Sequence, residues 1–575
     1  MAFKRGTDRK QTVLFPESLD EYVAADSPVR LIDAFADSLD MISLGFHRVE
    51  PDDMGRPAYD PRVLLKVLIY GYFYGARSSR RMERECKVNV EVMWLTGKLT
   101  PDHNTLSEFR KGNIRCMKPM FREFNRFCLR MDMFRLDYVS IDGSKFRAVN
   151  SKDRNFTLSK LDDRLKRLDA HIDEYLVALE ESDGDDIRKL SRREVEGKLA
   201  ALQERKTRYE GYLRQLEEGG ESQMSLTDPD ARLMKENNGF GVGYNVQTAV
   251  DAESHLIAGF VVTNRPTDHG LITEVAVEVK DDMGLETLEA TADKGYHDPD
   301  DMALALENGV VPSVIQNGGA SVVDVEYGYE GAEPTEGQRL GTNPEDIKAC
   351  LHAGVVPYCL KGALTDASVE EVTLRHREQT DAEASRMTLE QMIAKAHEGY
   401  FVRDAGRNLV ICPQGETLRP KSLKRNGDIR YCNKLACRRC KSKCTTSKFK
   451  EADFSKDCLI KKVGGMKEDD RRGDNAPQSK LVTEKRAVAR FKLHMDERKM
   501  DNRKCLSEHP FGTIKRTIGE GFFLLRRMFK TEGEMALYCL AYNMRRAMNM
   551  RTMGELVVHW DISIMPSLFV EEIIV

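Results

Sequence analysis

The sequence predicts a mixed α/β fold, in which a helical segment precedes a sheet that carries helices on its faces. Three patterns predict it. Apolar residues recur at helical spacing through the first 132 positions. Short apolar, strand-like runs alternate with helix-like stretches between Leu136 and Ile315, and a basic, helix-like section closes the chain. At 575 residues the chain exceeds one compact core, and length alone suggests roughly three or four structural units.

Leu31, Ile32, Phe35 and Leu39 mark one helix face after Pro28, and Val63 to Phe73 forms a more buried helix. Ser79 precedes a basic helix-like run to Gly97, and Thr105 with Glu108 matches a capping box opening the next helix. Short helices bearing Arg77, Arg80, Arg81, Arg110 and Lys111 make either a DNA-binding head or a plain helical scaffold. Leu136 to Val149 alternates as a strand. Leu158, Leu161, Leu165, Leu168, Ile172, Leu176 and Leu179 then stripe one helix. Val195, Leu199, Leu202, Tyr209, Leu213 and Leu216 stripe a second, giving a helical hairpin suited to packing or a dimer contact. Gly243 to Asn264 reads as a β-hairpin turning at Asp251–Ser254. A helix from Asp268 to Val279, a strand ending at Asp293, a helix over Pro299 to Glu307 and the strand VVPSVI follow. Residues 316–379, rich in Gly, Glu and Asp, read as an insertion.

The expected divisions are therefore a helical N-terminal domain (1–132) and a sheet domain (133–320) with the hairpin inserted at 156–218. An insertion (321–480) then contains a Cys-rich basic region (408–450), and a helical C-terminal part spans 481–560.

Hydrophobic content of 41% and charged content of 32% exclude a disordered chain. The longest apolar stretch, Val63 to Gly75, contains Lys66 and falls short of the roughly 20 residues of a membrane span. No N-terminal segment has the basic start, apolar centre and cleavage site of a secretion signal. The net charge is only −4, but residues 401–550 hold 36 Lys/Arg against 18 Asp/Glu. An excess of that size attracts phosphate backbones, or else forms a solvated basic face.

Three acids stand where divalent ions would be held. Asp142 in YVSIDGSKFRAV and Asp293 in LEATADKGYHD end strand-like runs, and Glu508 in SEHPFGTIKR opens a basic helix-like segment. Two ions roughly 4 Å apart need carboxylates as hard oxygen ligands. Strand ends are rigid places from which to project them. Gly143 and Gly295, beside the first two acids, leave room for a nucleic-acid backbone. Asp228, Asp230, Asp251 and Asp268 compete; TDPDAR reads as a turn cap before GYNVQ and Asp268 as the cap of the following helix.

SIDGSKFRAVNSK, then TDPDARLM, GYNVQTAVD, VTNRPTDHG and TADKGYHD in that order, resembles the catalytic domain of DDE transposases from bacterial insertion sequences. Glu508, followed by six residues and Lys515, is similar to the family's glutamate–lysine spacing. Asp501 and Lys504 stand where the family often has Tyr and Arg, Arg503 being one place off; Glu520 is the alternative third acid. The resemblance implies an RNase H-like core and metal-dependent DNA cleavage and strand transfer at the ends of the protein's own element. It implies two Mg²⁺ (or Mn²⁺) ions on Asp142, Asp293 and Glu508, and DNA contacts from Lys515, Arg516, Lys504, Arg438 and Arg439. The implied partners are double-stranded DNA, as terminal inverted repeats and target, and a second copy in the DNA complex; the implied setting is the bacterial cytosol. The alternatives are a nuclease without strand transfer and a non-catalytic, zinc-containing DNA-binding protein.

Thirteen cysteines, an odd count without a secretory signal, disfavour a disulfide framework. Five fall between Cys412 and Cys444. Cys437-x₂-Cys440 is a knuckle for a tetrahedral Zn²⁺, with Cys412 and Cys444 completing the set and Cys432 a rival. Arg430, Lys434, Arg438, Arg439, Lys441 and Lys443 are expected to lower the thiol pKa values.

Overall fold

The computed structural model describes residues 18–50, 57–150, 154–182, 192–219, 223–236, 239–314, 321–377, 389–404, 407–424, 428–440, 442, 444, 449–455, 460–462, 481–519 and 521–563. They form a mixed α/β protein with several sheets, in two compact units: residues 1–370 with 488–575, and residues 371–487.

The first unit begins with six helices: α1 (Pro28–Ser38), α2 (Pro61–Phe73), α3 (Ser79–Val88), α4 (Val90–Thr96), α5 (His103–Gly112) and α6 (Met117–Arg130). α1 and α2 each open on a proline behind a capping side chain, Ser27 and Asp60. Proline suits that place because its missing N–H has no intrahelical partner there. The run after Ser79 is broken in two. Asn89 ends α3 and caps α4, its Oδ1 accepting from Glu91 N at 2.9 Å while its Nδ2 donates to Tyr70 Oη at 2.9 Å. Asn89→Ala should therefore destabilise the unit by about 1–2 kcal/mol, read from a denaturant midpoint. The capping box at Thr105 does not form: Asp102 accepts from Asn104 N and Thr105 N, both at 2.8 Å, and caps α5 three residues earlier.

Arg77 and Arg110 are not part of a DNA-facing surface. Both are buried, and Arg77 donates to Phe522 O (2.9 Å) and Tyr538 Oη while Arg110 donates to Arg77 O (3.0 Å). Arg80, Arg81 and Lys111 remain exposed.

The central sheet is built on β1 (Val139–Arg147). β5 (Gly239–Asp251) pairs antiparallel along one edge of it, and β4 (Arg232–Glu236) and β6 (Ile257–Thr263) pair antiparallel with β5. On the other edge β7 (Leu288–Ala292) runs parallel to β1, and β8 (Val310–Val314) runs parallel to β7. Helices α9 (Ile272–Met283) and α10 (Pro299–Glu307) make the crossovers. Between β1 and β4 stand β2 (Asn155–Thr157), β3 (Gln223–Ser225) and the hairpin α7 (Leu158–Ser182) and α8 (Arg192–Gly219), held at its base by Phe156, Leu161 and Leu216. Residues 316–379 are not featureless where described: β9 (Val322–Gly328) pairs with Val488–His494 and buries Val325 and Tyr327.

One hydrophobic core joins the N-terminal helices to the sheet. A late helix, Met528–Met550, runs through it. Its Asn543 is fully buried and satisfied: Nδ2 donates to Asn125 Oδ1 (2.8 Å) and Ile257 O (2.9 Å), and Oδ1 accepts from Ile257 N (2.9 Å). Buried amides satisfied this way fix one packing of helix on strand.

The second unit is a six-stranded antiparallel sheet from Tyr400 to Lys462 around Phe401, Val410, Leu418, Tyr431 and Phe454. Among the described residues no helix is long and apolar enough to cross a membrane.

Candidate active site

β1 and β7 pair at Val139↔Ala290 and Ser140↔Thr291 and then part. Asp142 and Asp293 each stand two residues beyond the last shared pair, at matching heights on neighbouring parallel strands. Both are half-buried. β1 does not end at its acid, as the apolar run suggested; it continues to Arg147 because β5 still pairs with it, Asp142 opposite Thr248. Asp293 ends its strand and opens a short 3₁₀ turn, its Oδ1 accepting from Gly295 N at 2.7 Å.

Side chains alternate along a strand, so Asp142 shares a face with Ser140, Ser144 and Phe146. All three touch the segment that carries Glu508. The helix Glu497–Thr513 lies against β1, β5 and β7. Ser140 Oγ donates to Arg503 O at 3.4 Å, and the Phe146 and Phe511 rings are 6.1 Å apart. Lys515 Nζ donates to Ser144 Oγ at 2.7 Å and Lys145 O at 3.0 Å. At the helix start Lys499 pairs with Glu289 of β7 at 2.5 Å. Glu508 is exposed on this helix, between the Arg503 and Phe511 anchors. The helix holds Pro510 and passes at Ile514 into a π-helical turn reaching Gly519. Such turns break the regular ladder and recur at functional sites.

Among the described residues, no three His, Cys, Asp or Glu side chains stand close enough together to hold a metal ion. The acid pair is registered by the strands, and Glu508 is brought across β1 without closing a three-carboxylate set. The donors that are present are carboxylate oxygens, which suit a hard divalent cation such as Mg²⁺.

Lys515 sits half-buried over the Phe146 ring, 4.9 Å from its centroid. Burial pushes its ammonium below the ordinary lysine value; Glu236 opposes that, and Arg147 and Lys145 add to it. Two of its three N–H donors are taken by Ser144 and Lys145, leaving one for an incoming oxygen. Arg516 is exposed; the Lys504 side chain and Glu520 lie outside what the structure describes.

A packing reason is visible at both glycines beside the acids. A Cβ on Gly143 would meet Asp268 Oδ1 at 2.7 Å and would collide with Gln247 Nε2. A Cβ on Gly295 would meet Asp293 Oδ1 at 2.9 Å. Asp268 is no helix cap either. The first amides of α9, Ile272 and Thr273, are taken by Asp301 Oδ2. Asp268 instead gathers Asn245, Gln247 and Lys145 on the sheet face opposite Asp142. The readable signal was two amides, Asn245 and Gln247, at alternate positions of an otherwise apolar strand. Asp228 and Asp230 accept from Arg527 N and Met528 N, each at 2.9 Å, and so cap the late helix rather than a turn before β5.

In the second unit, Cys412 follows the strand Leu409–Ile411 in a turn closed by Gly415 N donating to Cys412 O at 2.8 Å. Cys437 lies in the short helix Lys434–Arg439, whose Arg438 and Arg439 are exposed, and Cys440 ends it. Cys412 and Cys444 pack on the same small core, and each lies within electrostatic reach of Cys437. The neighbouring cations do not lower these thiols: burial dominates and raises Cys412, Cys432 and Cys444.

Fold and site together define a mixed α/β protein with paired carboxylates at adjacent parallel strands and a helix laid across them. Residues 17–112 match a family model described as a transposase domain (DUF772). No curated protein and no solved structure matches the chain.

Proposed function

We propose that this chain is a DDE transposase, cleaving DNA at the ends of its own element and joining it to a target. The observation that carries the proposal is the matched placement of Asp142 and Asp293, on the face of β1 that meets the Glu508 helix. The transposase-domain match supports the class of reaction. The mixed sheet, antiparallel on one side of β1 and parallel on the other, supports an RNase H-like core.

Asp142 and Asp293 would supply the first carboxylates to the metal, and Glu508 would have to close onto them from the helix across β1. When bound, two Mg²⁺ or Mn²⁺ ions supply Lewis acidity at both the attacking and leaving oxygens of an in-line phosphoryl transfer. The chain's own residues position the DNA. Lys515 directs its spare N–H toward a phosphate beside Asp142, and Arg516 lies exposed next to it for a second contact, which a lysine or arginine makes without reading sequence. Lys504, Arg438 and Arg439 are assigned to the DNA backbone on charge alone. The substrate is double-stranded DNA with terminal inverted repeats, and two element ends call for a homodimer, in a bacterial cytosol.

The test is a strand-transfer assay on purified protein with Mg²⁺, matched element ends and a target plasmid. Joined product supports the transposase; hydrolysis without joining leaves a nuclease of the same chemistry. Binding without either reaction leaves a DNA-binding protein, and then the assignment fails.

The Cys437-x₂-Cys440 spacing, with Cys412 and Cys444 bordering one small core within electrostatic reach of Cys437, supports a structural zinc in the second unit, whose binding would displace the thiol protons. Protein purified without chelators should carry about one zinc per chain. Cys437→Ser should remove it and lower the thermal stability of that unit. A fully folded, zinc-free protein would remove the proposal.

A further inference from the structure

We infer that Gln247, Asp268 and Tyr296 form a polar clamp behind the sheet that sets the separation of Asp142 and Asp293. The inference rests on the reading of those two acids as a divalent-cation site.

β1 and β5 are in register with Gly143 opposite Gln247 and Lys145 opposite Asn245. Those four residues share the face turned away from Asp142. Asp268 Oδ1 arrives over that face and accepts from Asn245 Nδ2 at 2.7 Å, Gln247 Nε2 at 2.8 Å and Lys145 Nζ at 3.1 Å. The close fit exists only because residue 143 has no Cβ. The residue directly after Asp142 is thereby pressed against the clamp.

The other acid is tied to the same amide. Tyr296 Oη donates to Gln247 Oε1, while Tyr296 N donates to Asp293 O at 3.1 Å. Gln247 thus holds the Asp293 turn through its oxygen and Asp268 through its nitrogen, and Asp268 in turn takes Lys145 of the Asp142 strand, across the point where β1 and β7 part. Asn245, Gln247 and Tyr296 are fully buried, so water does not compete for these bonds. Beyond Ser140 no β1–β7 ladder bond fixes the gap between the acids. The clamp is a polar connection that spans it, which makes these positioning residues rather than catalytic ones.

Groups that orient metal-binding side chains typically change metal affinity 10–100-fold when altered. The experiment is calorimetric titration of Mn²⁺ into full-length protein without DNA, for wild type, Asp142→Ala, Tyr296→Phe, Gln247→Met and Gly143→Ala. Melting of each variant in EDTA serves as the fold control. Wild type should bind Mn²⁺ and Asp142→Ala should lose it. Tyr296→Phe and Gln247→Met should weaken binding about tenfold or more with EDTA melting close to wild type. Gly143→Ala, which pushes the clamp apart without removing a hydrogen-bonding group, should weaken it likewise. If both Tyr296→Phe and Gln247→Met bind Mn²⁺ as tightly as wild type, the clamp is overturned while the metal site stands. If wild type binds no Mn²⁺, or Asp142→Ala binds it equally well, the metal-site reading fails and the clamp with it. A variant that does not fold is replaced by Asp268→Asn, which keeps the shape and removes the charge that gathers the donors.

Discussion

Replacing Asp142 or Asp293 with alanine should abolish DNA cleavage and leave DNA binding intact. Each is one of two carboxylates at matching heights, in β1 and directly after β7, and the divalent site proposed there could not keep its ions on one of them. A cleavage loss of roughly 10³-fold or more corresponds to about 4 kcal/mol of barrier, within what metal coordination supplies to phosphoryl transfer. DNA affinity should hold because it comes from basic side chains, and removing a negative charge relieves repulsion of phosphate. Both acids are half-buried, so neither substitution opens a core cavity. Cleavage of labelled element ends, run beside a band-shift assay at one salt concentration, reads both quantities. Cleavage at the wild-type rate by either variant would remove the catalytic assignment.

The second large effect falls on stability. Phe146 is fully buried, with Phe523, Phe511 and Tyr538 at 5.4, 6.1 and 6.4 Å between ring centroids and the Lys515 ammonium over its face. Phe146→Ala should cost about 3–5 kcal/mol, the transfer free energy of the ring plus the cavity it leaves. Chemical denaturation measures this directly, and Phe146→Leu should recover most of the loss. At temperatures where Phe146→Ala is still folded, cleavage should fall as well, because this ring helps hold the Glu508 helix on the strand of Asp142. A midpoint shift equivalent to less than about 1 kcal/mol would mean that the helix is held elsewhere.

What could be read in the sequence was whatever depends on neighbours in sequence. Apolar runs placed β1 and β7, helical spacing placed α1 and α2, and Pro299 marked the start of α10. Features whose partners lie far along the chain were not readable. Thr105 and Glu108 had the spacing of a capping box, yet Asp102 took the amides first. Arg77 and Arg110 look like a basic surface until Phe522 and Tyr538 enclose them. Asp228 and Asp230 looked like turn formers because the helix they cap starts about 300 positions later. Within the site, the two strand acids stood out. Their supports did not: a glycine with a packing reason, two buried amides and a tyrosine whose partner lies 49 residues away.

Arg77 belongs to the segment that matches the transposase domain, yet its guanidinium grips the carbonyl of Phe522. The neighbours of Phe522 in turn bond to the end of β1: Arg147 N donates to Gly521 O at 3.0 Å and Phe523 N to Arg147 O at 2.9 Å. That fastening lies five positions along β1 from Asp142. The matched segment is therefore not a cassette that can be excised or swapped between relatives. A chain lacking it would lose the brace on the strand of Asp142, and chimaeras should be cut so that Arg77 and Phe522 come from the same parent.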